Sequence, residues 1–414
     1  MEPIRAYHPR FSSFKKMNRS GKNAYTTLQE NRNLILELIY KHRSISRKQL
    51  ADMTGLQLAT ITMIMKELLA QGIIKDSGRM DGGSGRTVKT FSIIDEMYVV
   101  SVRITAVYVK VALYDTKLKN HYVKKCFFTT DDTIPESRGI ILDCIREVEK
   151  RVGQERIVGI AIGVEHRYCL TGDDYAIWDD KRGEYCCIGK EIHDLTQHLV
   201  FTNRAINYST YHLNDSISDI IDLNYFHMLI NINISYELES AVIIDGEIIY
   251  GKNGKCGQLK DLRVNGNSQA TYKDVLGVAG VLRRAQELVR DYPDSCISDL
   301  KTLNIRDVIN GYKAQDPLCL QVYDEVCGHL GFIIATLIQW MDPDAVIVGD
   351  EIPTNERFLE RLRACVSEYA GQERAARVSC INKERITEND PALIGAADFA
   401  FNKLFGQIGF TENL

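Results

Sequence analysis

Few features of this 414-residue sequence point to a membrane or a secreted protein. No apolar run approaches the ~20 residues of a membrane-spanning helix, and the N-terminal segment lacks the apolar centre of a secretory signal. The 11 cysteines are odd in number and irregularly spaced, which predicts free thiols in a reducing cytoplasm. No Cys-x-x-Cys pair exists, so Cys186 and Cys187 near His193 and His198 do not predict a metal site. We expect a cytoplasmic protein with no metal, no cofactor and no membrane contact.

Charge is divided unevenly along the chain. Residues 1–90 contain 16 Lys and Arg against 7 Asp and Glu, whereas the remaining 324 residues contain 35 against 48. A basic N-terminal unit on an acidic body suits a protein whose head binds phosphate and whose body is repelled by it. A chain of this length with 45% hydrophobic residues is expected to fold into two or three globular domains.

Residues 44–71 have the pattern of a helix-turn-helix. Ser44 or Ser46 can cap a short first helix that carries Leu50, Ala51 and Met53 inward, and Gly55 permits the tight corner. A second helix is predicted from about residue 57 to 71. Its apolar side chains recur at three- and four-residue steps and predict one buried stripe of Leu58, Ile61, Ile64, Met65, Leu68 and Leu69.

The opposite face of the second helix has the chemistry of a major-groove reader. Its side chains are short and mostly uncharged, and they are Gln57, Ala59, Thr60, Thr62, Met63 and Lys66. A plain helical hairpin in an all-α core is the alternative. The sequence that follows favours a winged helix, because a strand at 73–74, a Gly- and Arg-rich tip at 77–86 and a strand at 88–93 predict a β-ribbon. Arg79 and Arg86 of this wing are predicted to contact DNA.

The flanking segments have different compositions. Residues 1–22 are polar and basic and are predicted to form a disordered arm, which either touches DNA phosphate or is inert. From about residue 97 strands and helices alternate in an order that occurs twice, which predicts an α/β body. Fully apolar strands at 157–163 and 345–349 are typical of a buried parallel sheet.

From about residue 25 to 405 the chain resembles transcription regulators of the ROK family (repressor, open reading frame, kinase). Order and spacing together carry the likeness, through the segments 111–115, 159–164, Asn203, 244–246, 250–254, Gly257, 342–349 and 393–397. The resemblance implies a winged helix-turn-helix followed by a two-lobed α/β body of the actin-like, sugar-kinase-like fold. It implies a winged helix-turn-helix domain at 23–95, a first lobe at 97–210 with 395–414, and a second lobe at 211–394.

The family's kinase chemistry is missing. Where ROK kinases carry an Asp and a Gly-Gly-Thr run, this chain has Arg103 and then residues 105–107, and the second phosphate loop reads Ser-Tyr-Glu-Leu-Glu at 235–239. Bare glycine backbone approaches phosphate, whereas Glu237 and Glu239 repel it. The catalytic Asp of an Asn-Asp pair is replaced in Asn203-Arg204, and a guanidinium cannot accept a proton. We expect no catalytic residues.

The family's zinc and sugar positions are altered too. The zinc segment reads Gly257-Gln258-Leu259-Lys260-Asp261, and no cysteine follows it up to Gly280. The resemblance places an effector pocket at Asn203, Arg204, Glu237, Glu239, Gln258 and Asp261. Either Arg204 forms an ion pair with Asp261, or with a nearby acid such as Asp215, and fills the pocket, or it selects an anionic sugar.

The sequence thus predicts a DNA-binding transcription regulator, a repressor of carbohydrate-related genes. Its expected partners are a double-stranded operator, a sugar-like or anionic sugar effector, and a second or further copies of itself in a homodimer or homotetramer. Two alternatives stay open: a carbohydrate kinase that kept a DNA-binding appendage, and a constitutive DNA-binding protein with a vestigial pocket.

Overall fold

The computed structural model describes residues 24–81, 87–130, 133–165, 168–171, 174–179, 181–216, 227–236, 238–264, 269–380 and 390–406. The N-terminal unit is a winged helix whose three strands pair in the order β1-β3-β2. Its elements are α1 (Ala24–His42), β1 (Ile45–Ser46), α2 (Arg47–Thr54), α3 (Leu58–Ala70), β2 (Ile74–Asp81) and β3 (Thr87–Ile93). The predicted basic arm and the wing tip with Arg86 lie outside the described residues.

Local sequence signals fix the helix-turn-helix corner. Ser46 caps α2, because its side chain accepts the Gln49 N–H while the Gln49 side chain accepts the Ser46 N–H. Gly55 ends α2 with φ +68°, a conformation that favours glycine. Both predictions are confirmed.

Two side chains predicted to point inward lie on the surface instead. Met53 is 52% exposed and Leu58 is 54% exposed. The buried stripe of α3 begins one turn later, at Ile61, and continues through Ile64, Met65 and Leu68. Leu58 is the first residue of α3 and lies ahead of this stripe, and Leu50 is the buried residue of the short α2.

The body has two lobes, each with a five-stranded sheet. The first sheet has the order β6-β5-β4-β7-β11, antiparallel through β4 and parallel beyond it. The first lobe contains β4 (Tyr98–Ile104), β5 (Tyr108–Asp115), β6 (Asn120–Phe127), α4 (Thr133–Val152), β7 (Ile157–Val164), α5 (Ile188–Thr196), β11 (Val200–Arg204) and α6 (Ala205–Ser216). A separate ribbon, which the sequence analysis did not predict, consists of β8 (Tyr168–Thr171), β9 (Asp174–Asp179) and β10 (Glu184–Cys186).

The second lobe repeats the same plan. Its sheet has the order β14-β13-β12-β15-β16, again antiparallel through β12 and then parallel. The lobe contains β12 (Met228–Ile234), β13 (Leu238–Ile244), β14 (Glu247–Ile248), α7 (Tyr272–Leu276), α8 (Val278–Leu288), α9 (Ile305–Lys313), α10 (Pro317–Met341), β15 (Ala345–Asp350), α11 (Glu356–Ala370), α12 (Gln372–Ala375) and β16 (Val378–Cys380). This duplication confirms the predicted α/β class.

The last helix, α13 (Pro391–Gly406), returns to the first lobe and packs on β4, β7 and α6. It also packs against α1 of the winged helix. One apolar cluster therefore runs from Ile35 and Leu36 of α1 to Phe401 and Phe405 of α13. The winged helix and the first lobe share a hydrophobic core.

The helix α10 corrects one expectation from the sequence. Within the described ranges it is long and apolar enough by length and composition to cross a membrane, with a mean hydropathy of 1.3 over its most apolar window. In the structure 61% of that window is buried inside the protein. The apolar side chains of α10 form the core of the second lobe, including Leu330, Ile334 and Ile338.

Candidate DNA-binding surface and interlobe cleft

The predicted recognition residues share one outer face of α3. Gln57 precedes the helix as its N-cap, and Ala59, Thr62, Met63 and Lys66 are exposed. Thr60 is half-buried, and Arg79 is exposed on β2 of the wing. The face combines hydroxyl groups, methyl groups, an amide and an ammonium, which are the partners that base edges and phosphates offer.

Ion pairs hold several lysines of the winged helix. Lys41 lies 2.7 Å from Glu37, Lys75 lies 2.6 Å from Asp95, and Lys89 lies 3.0 Å from Asp76. Lys66 of α3 and Lys48 of α2 are exposed and form no ion pair with any described residue. Lys48 is not among the residues predicted from the sequence, because those lie on the second helix and the wing. Its position two residues after the capping Ser46 was the available signal.

Four of the predicted pocket residues come together between the lobes: Asn203, Arg204, Glu239 and Gln258. Asn203 and Arg204 end β11, Glu239 lies on β13, and Gln258 follows β14. Tyr168, which was not predicted from the sequence, connects two of them, because its hydroxyl donates to Glu239 at 2.7 Å and accepts from Gln258 at 3.4 Å. Glu237 lies outside the described residues.

Arg204 is buried and is bound by the protein itself. The side chain is 1% exposed, donates to the carbonyl oxygens of Cys256 and Ser240, and lies 3.8 Å from Glu239 Oε1. Although burial lowers it, the pKa of Arg204 is raised overall by Glu239 and the nearby tyrosines. The guanidinium stays charged and fills the centre of the site.

Arg204 lies beside a protein carboxylate, as one of the two alternatives expects, but the partner is not Asp261. Asp261 is exposed on a loop, and the carboxylate beside Arg204 belongs to Glu239 on the adjacent strand. Asp261 therefore does not join the other pocket residues. The side chain of Asp215, the other acid considered, lies outside the described part of the chain.

The amide of Asn203 is also occupied within the protein. Its Oδ1 accepts from the Asn207 side chain at 2.7 Å and from the Arg204 N–H at 2.9 Å, and its Nδ2 donates to the Tyr250 hydroxyl at 3.0 Å. A ligand that used Asn203 would have to replace one of these bonds. Several polar groups of the pocket thus bond one another, whereas Arg204 Nε and Asn207 Oδ1 are buried with no hydrogen-bond partner among the described residues.

A second polar cluster lies in the cleft around Arg103. The Arg103 guanidinium binds Glu165, lies 3.0 Å from Asp390 and lies 3.5 Å from Asp350 of the second lobe, while Lys110 lies 3.3 Å from Asp390. Burial raises the pKa of Glu165 to about 7 despite the opposing effect of Arg103. From the sequence Arg103 was recognisable only as the replacement of a kinase Asp, because its three acidic partners are far apart in the chain.

The cysteines contribute one possible metal-ligand group among the described residues. Cys296, Asp316 and Cys319 have ligand atoms within 4.8 Å of one another. Asp316 caps α10 and accepts backbone N–H groups from Cys296 at 2.8 Å and Cys319 at 3.1 Å. The two histidines that lie near Cys186 and Cys187 in the sequence bond other groups. His193 bonds the His198 carbonyl oxygen, and His198 lies 3.1 Å from Glu149.

Two family models match this chain. A winged helix-turn-helix DNA-binding model matches residues 28–75, and the ROK family model matches residues 222–403. The chain is 21% identical to the xylose repressor of Bacillus subtilis over 361 residues, covering 81% of this chain and 86% of that protein. It is 21% identical over 375 residues to the DNA-binding transcriptional dual regulator NagC of Escherichia coli, covering 83% and 86%. A glucokinase of Halalkalibacterium halodurans is 24% identical over 143 residues, 31% of this chain and 43% of that enzyme.

Solved structures share the fold. A ROK family transcriptional regulator, described as a homolog of the E. coli MLC protein, superposes with a TM-score of 0.75 at 17% identity, covering 92% of this chain and 98% of that one. A ROK family glucokinase from Streptomyces griseus, in complex with glucose and AMPPNP, superposes with a TM-score of 0.60 at 15% identity over 73% of this chain and 98% of its own.

The fold is that of a winged helix-turn-helix joined to a two-lobed, sugar-kinase-like body. The chain accordingly carries a ROK-family domain behind an N-terminal winged helix-turn-helix.

Proposed function

We propose that this protein is a DNA-binding transcription regulator, a repressor of carbohydrate-related genes, that acts in the cytoplasm as a homodimer or homotetramer. The observation that carries the proposal is the outer face of α3, where Thr62 and Lys66, which has no ion-pair partner in the described part of the chain, are exposed on a basic winged helix. The relatives whose match extends over most of both chains are named repressors and regulators, which supports the same role.

The test is a gel-shift titration of the full chain against a duplex that it selects from a random-sequence pool. Thr62→Ala and Lys66→Ala should each weaken binding, by ~1–3 kcal/mol where a base contact is lost. Arg79→Ala should chiefly reduce the salt dependence, as loss of a phosphate contact does. Lys190→Ala, which removes an exposed helical lysine from the body, is the matched control.

Unchanged affinity in Thr62→Ala and Lys66→Ala, together with the control, would contradict the proposed interface. Point variants are preferred to deletion of residues 1–92. Deletion would expose the apolar side of α13, because Phe401 and Phe405 share a core with α1.

The residues of the cleft give little chemical support for a kinase activity. The position of the expected catalytic base holds the buried Arg204, and a guanidinium cannot accept a hydroxyl proton. Arg103, at a position where the family's kinases hold an Asp, is engaged by Glu165 and Asp390. We therefore expect no ATP turnover with a panel of sugars. Turnover that is lost in Glu165→Gln would favour the enzyme instead.

Constitutive DNA binding is the second candidate. The Arg204 and Asn203 side chains already bond other groups of the protein, which favours this candidate over recognition of an anionic sugar. A structural Arg204 predicts that Arg204→Ala lowers the melting temperature, because Glu239 is left buried without its cation at a cost of about 3–5 kcal/mol. Glu239→Gln in the same chain should recover part of the loss.

The effector question is settled by calorimetry and thermal shift with neutral sugars, sugar acids and sugar phosphates. A vestigial pocket predicts no heat and no shift with any of them, and operator affinity that none of them changes. Tight binding of a sugar acid that disappears in Arg204→Ala, at an unchanged melting temperature, would support an anionic effector instead.

A further inference from the structure

We infer that α13 connects the interlobe cleft to the winged helix, and that Arg103, Asp350, Asp390, Asp398 and Tyr40 position the DNA-binding surface according to the position of the second lobe. This inference rests on the proposed function as a DNA-binding regulator. It assigns a role to the Arg103 cluster, which the proposed contacts with DNA do not use.

The cleft end of α13 is held by charge. Asp390 immediately precedes α13, and its side chain accepts the Ala392 N–H at 3.2 Å while it binds Arg103 and Lys110. Although burial raises it, the pKa of Asp390 is lowered overall by these two cations. The first turn of the helix is therefore fixed to β4 and β5 through an ionised carboxylate.

The second lobe enters this cluster through one residue. Asp350 ends β15, and its carboxylate lies 3.5 Å from the same guanidinium that binds Asp390. Asp350 has φ +77°, a left-handed conformation that is uncommon for a residue other than glycine. A movement of β15 relative to β4 must change the Asp350–Arg103 distance and the charge around Asp390.

The winged helix packs against the middle and the C-terminal part of α13. The buried Tyr40 hydroxyl of α1 donates to Asp398 at 2.7 Å, and the Tyr40 ring lies 5.6 Å from Phe401 and 5.3 Å from Phe405. Asn402 donates to the same Asp398 oxygen at 3.2 Å. The 16 residues of α13 span about 24 Å, so one rigid helix contacts both the interlobe cleft and the winged helix.

The buried surroundings make α13 move as a unit. Its side chains pack on β4, β7 and α6 of the first lobe, and most of them, from Ala392 to Phe405, are buried. Closely packed elements shift between discrete arrangements instead of deforming continuously. A change at Asp390 therefore shifts α13 and, through Tyr40, displaces α1. This displacement moves α3 relative to its half-site on the DNA.

The experiment measures hydrogen–deuterium exchange of the full chain without ligand. Asp350→Asn removes the charge of the second lobe from the cluster but leaves Arg103 its partners Glu165 and Asp390. We expect faster exchange in α1 and α13 and an operator affinity changed about fivefold or more, a typical coupling between sites. Asp324→Asn is the matched control, because Asp324 is a carboxylate of the same lobe that pairs with Arg361 at 2.6 Å, away from α13.

Tyr40→Phe tests the opposite end of the helix. If both residues act through α13, the double variant Asp350→Asn with Tyr40→Phe should change operator affinity by less than the product of the single effects. The wild-type chain provides a measurement free of variants: adding the selected duplex should change exchange at residues 345–350, since coupling between two sites is reciprocal.

The inference is overturned if exchange in Asp350→Asn changes only near β15 and β4 while α1 keeps the wild-type rate and operator affinity is unaltered. In that outcome Thr62→Ala would still weaken DNA binding, so the proposed function would stand. If the wild-type chain selects no duplex, the proposed function fails, and the exchange of α1 in Asp350→Asn still decides whether the cleft and head are coupled.

Discussion

Burial alters the acid–base behaviour of His212 on α6. The side chain packs where α6 crosses α13, and burial lowers its pKa to about 4 from an ordinary value of 6.5. The unfolded chain therefore binds a proton on His212 at a pH where the folded chain does not. The contribution of neutral His212 to the free energy of unfolding is fully present above about pH 6.5 and is lost as the pH falls towards 4.

We expect His212→Gln to make the protein less sensitive to acid. The wild-type chain should lose on the order of 2 kcal/mol through His212 between pH 7.5 and 5, and the variant should not. The measurement is the melting temperature of both proteins at the two pH values, with the exposed His227→Gln as control. The comparison between proteins is needed because Glu165, whose pKa is raised to about 7, acts in the opposite direction over the same range. An equal loss in His212→Gln and wild type would contradict the expectation.

At the scale of elements, the crossing of α6 and α13 depends on one glycine. A Cβ built on Gly395 would lie 1.9 Å from the Tyr208 carbonyl oxygen and 2.7 Å from its carbonyl carbon. Backbone atoms cannot rotate away as a flexible side chain does, so any larger residue must push the helices apart. The close approach explains why α13 can lie so tightly on the first lobe.

Gly395→Ala should destabilise the protein by about 1–3 kcal/mol, the usual cost of overpacking. Gly139→Ala in α4 is the matched control, because Gly139 is exposed and a Cβ there meets nothing within 4 Å. That control should be neutral or stabilising by up to about 1 kcal/mol, since alanine favours a helix. Thermal unfolding measures both, and a melting temperature that falls equally in the two variants would refute the role of the crossing.

At the scale of the whole molecule, the second lobe presents exposed aromatic side chains on α10 and α11. Trp340 is 81% exposed, Phe332 is 47% exposed and Tyr369 is 52% exposed, and the last two rings meet edge to face at 5.5 Å. One winged helix reads a short half-site, so a regulator of this kind needs a symmetric pair. We propose that this aromatic surface joins two copies.

Trp340→Glu should therefore shift the protein from dimer or tetramer to monomer and weaken operator binding. Light scattering measures the first effect and gel-shift titration the second. Phe127→Glu, at an exposed aromatic residue of β6, should leave the assembly intact. A wild-type chain that runs as a 47.0 kDa monomer at micromolar concentration would contradict the proposal.

The sequence by itself determined the local and periodic features of this protein. Ser46 and Gly55 act within a few residues of their own positions, and the spacing of Ile61, Ile64 and Leu68 alone shows which face of α3 is buried. The division of charge follows from counting. These signals predicted the winged helix, the repeated α/β plan and the exposed outer face of α3.

Tertiary structure decided the partners of buried charges and the exposure of individual apolar residues. Arg103 and Asp390 are 287 residues apart in the chain, and Arg204 meets Glu239 instead of Asp261 because strand order, not sequence distance, brings carboxylates to a guanidinium. Leu58 and the apolar α10 show the same limit, since hydrophobicity alone does not say whether a core lies beside a residue. Pairing and burial depend on contacts between distant segments, which only the folded chain creates.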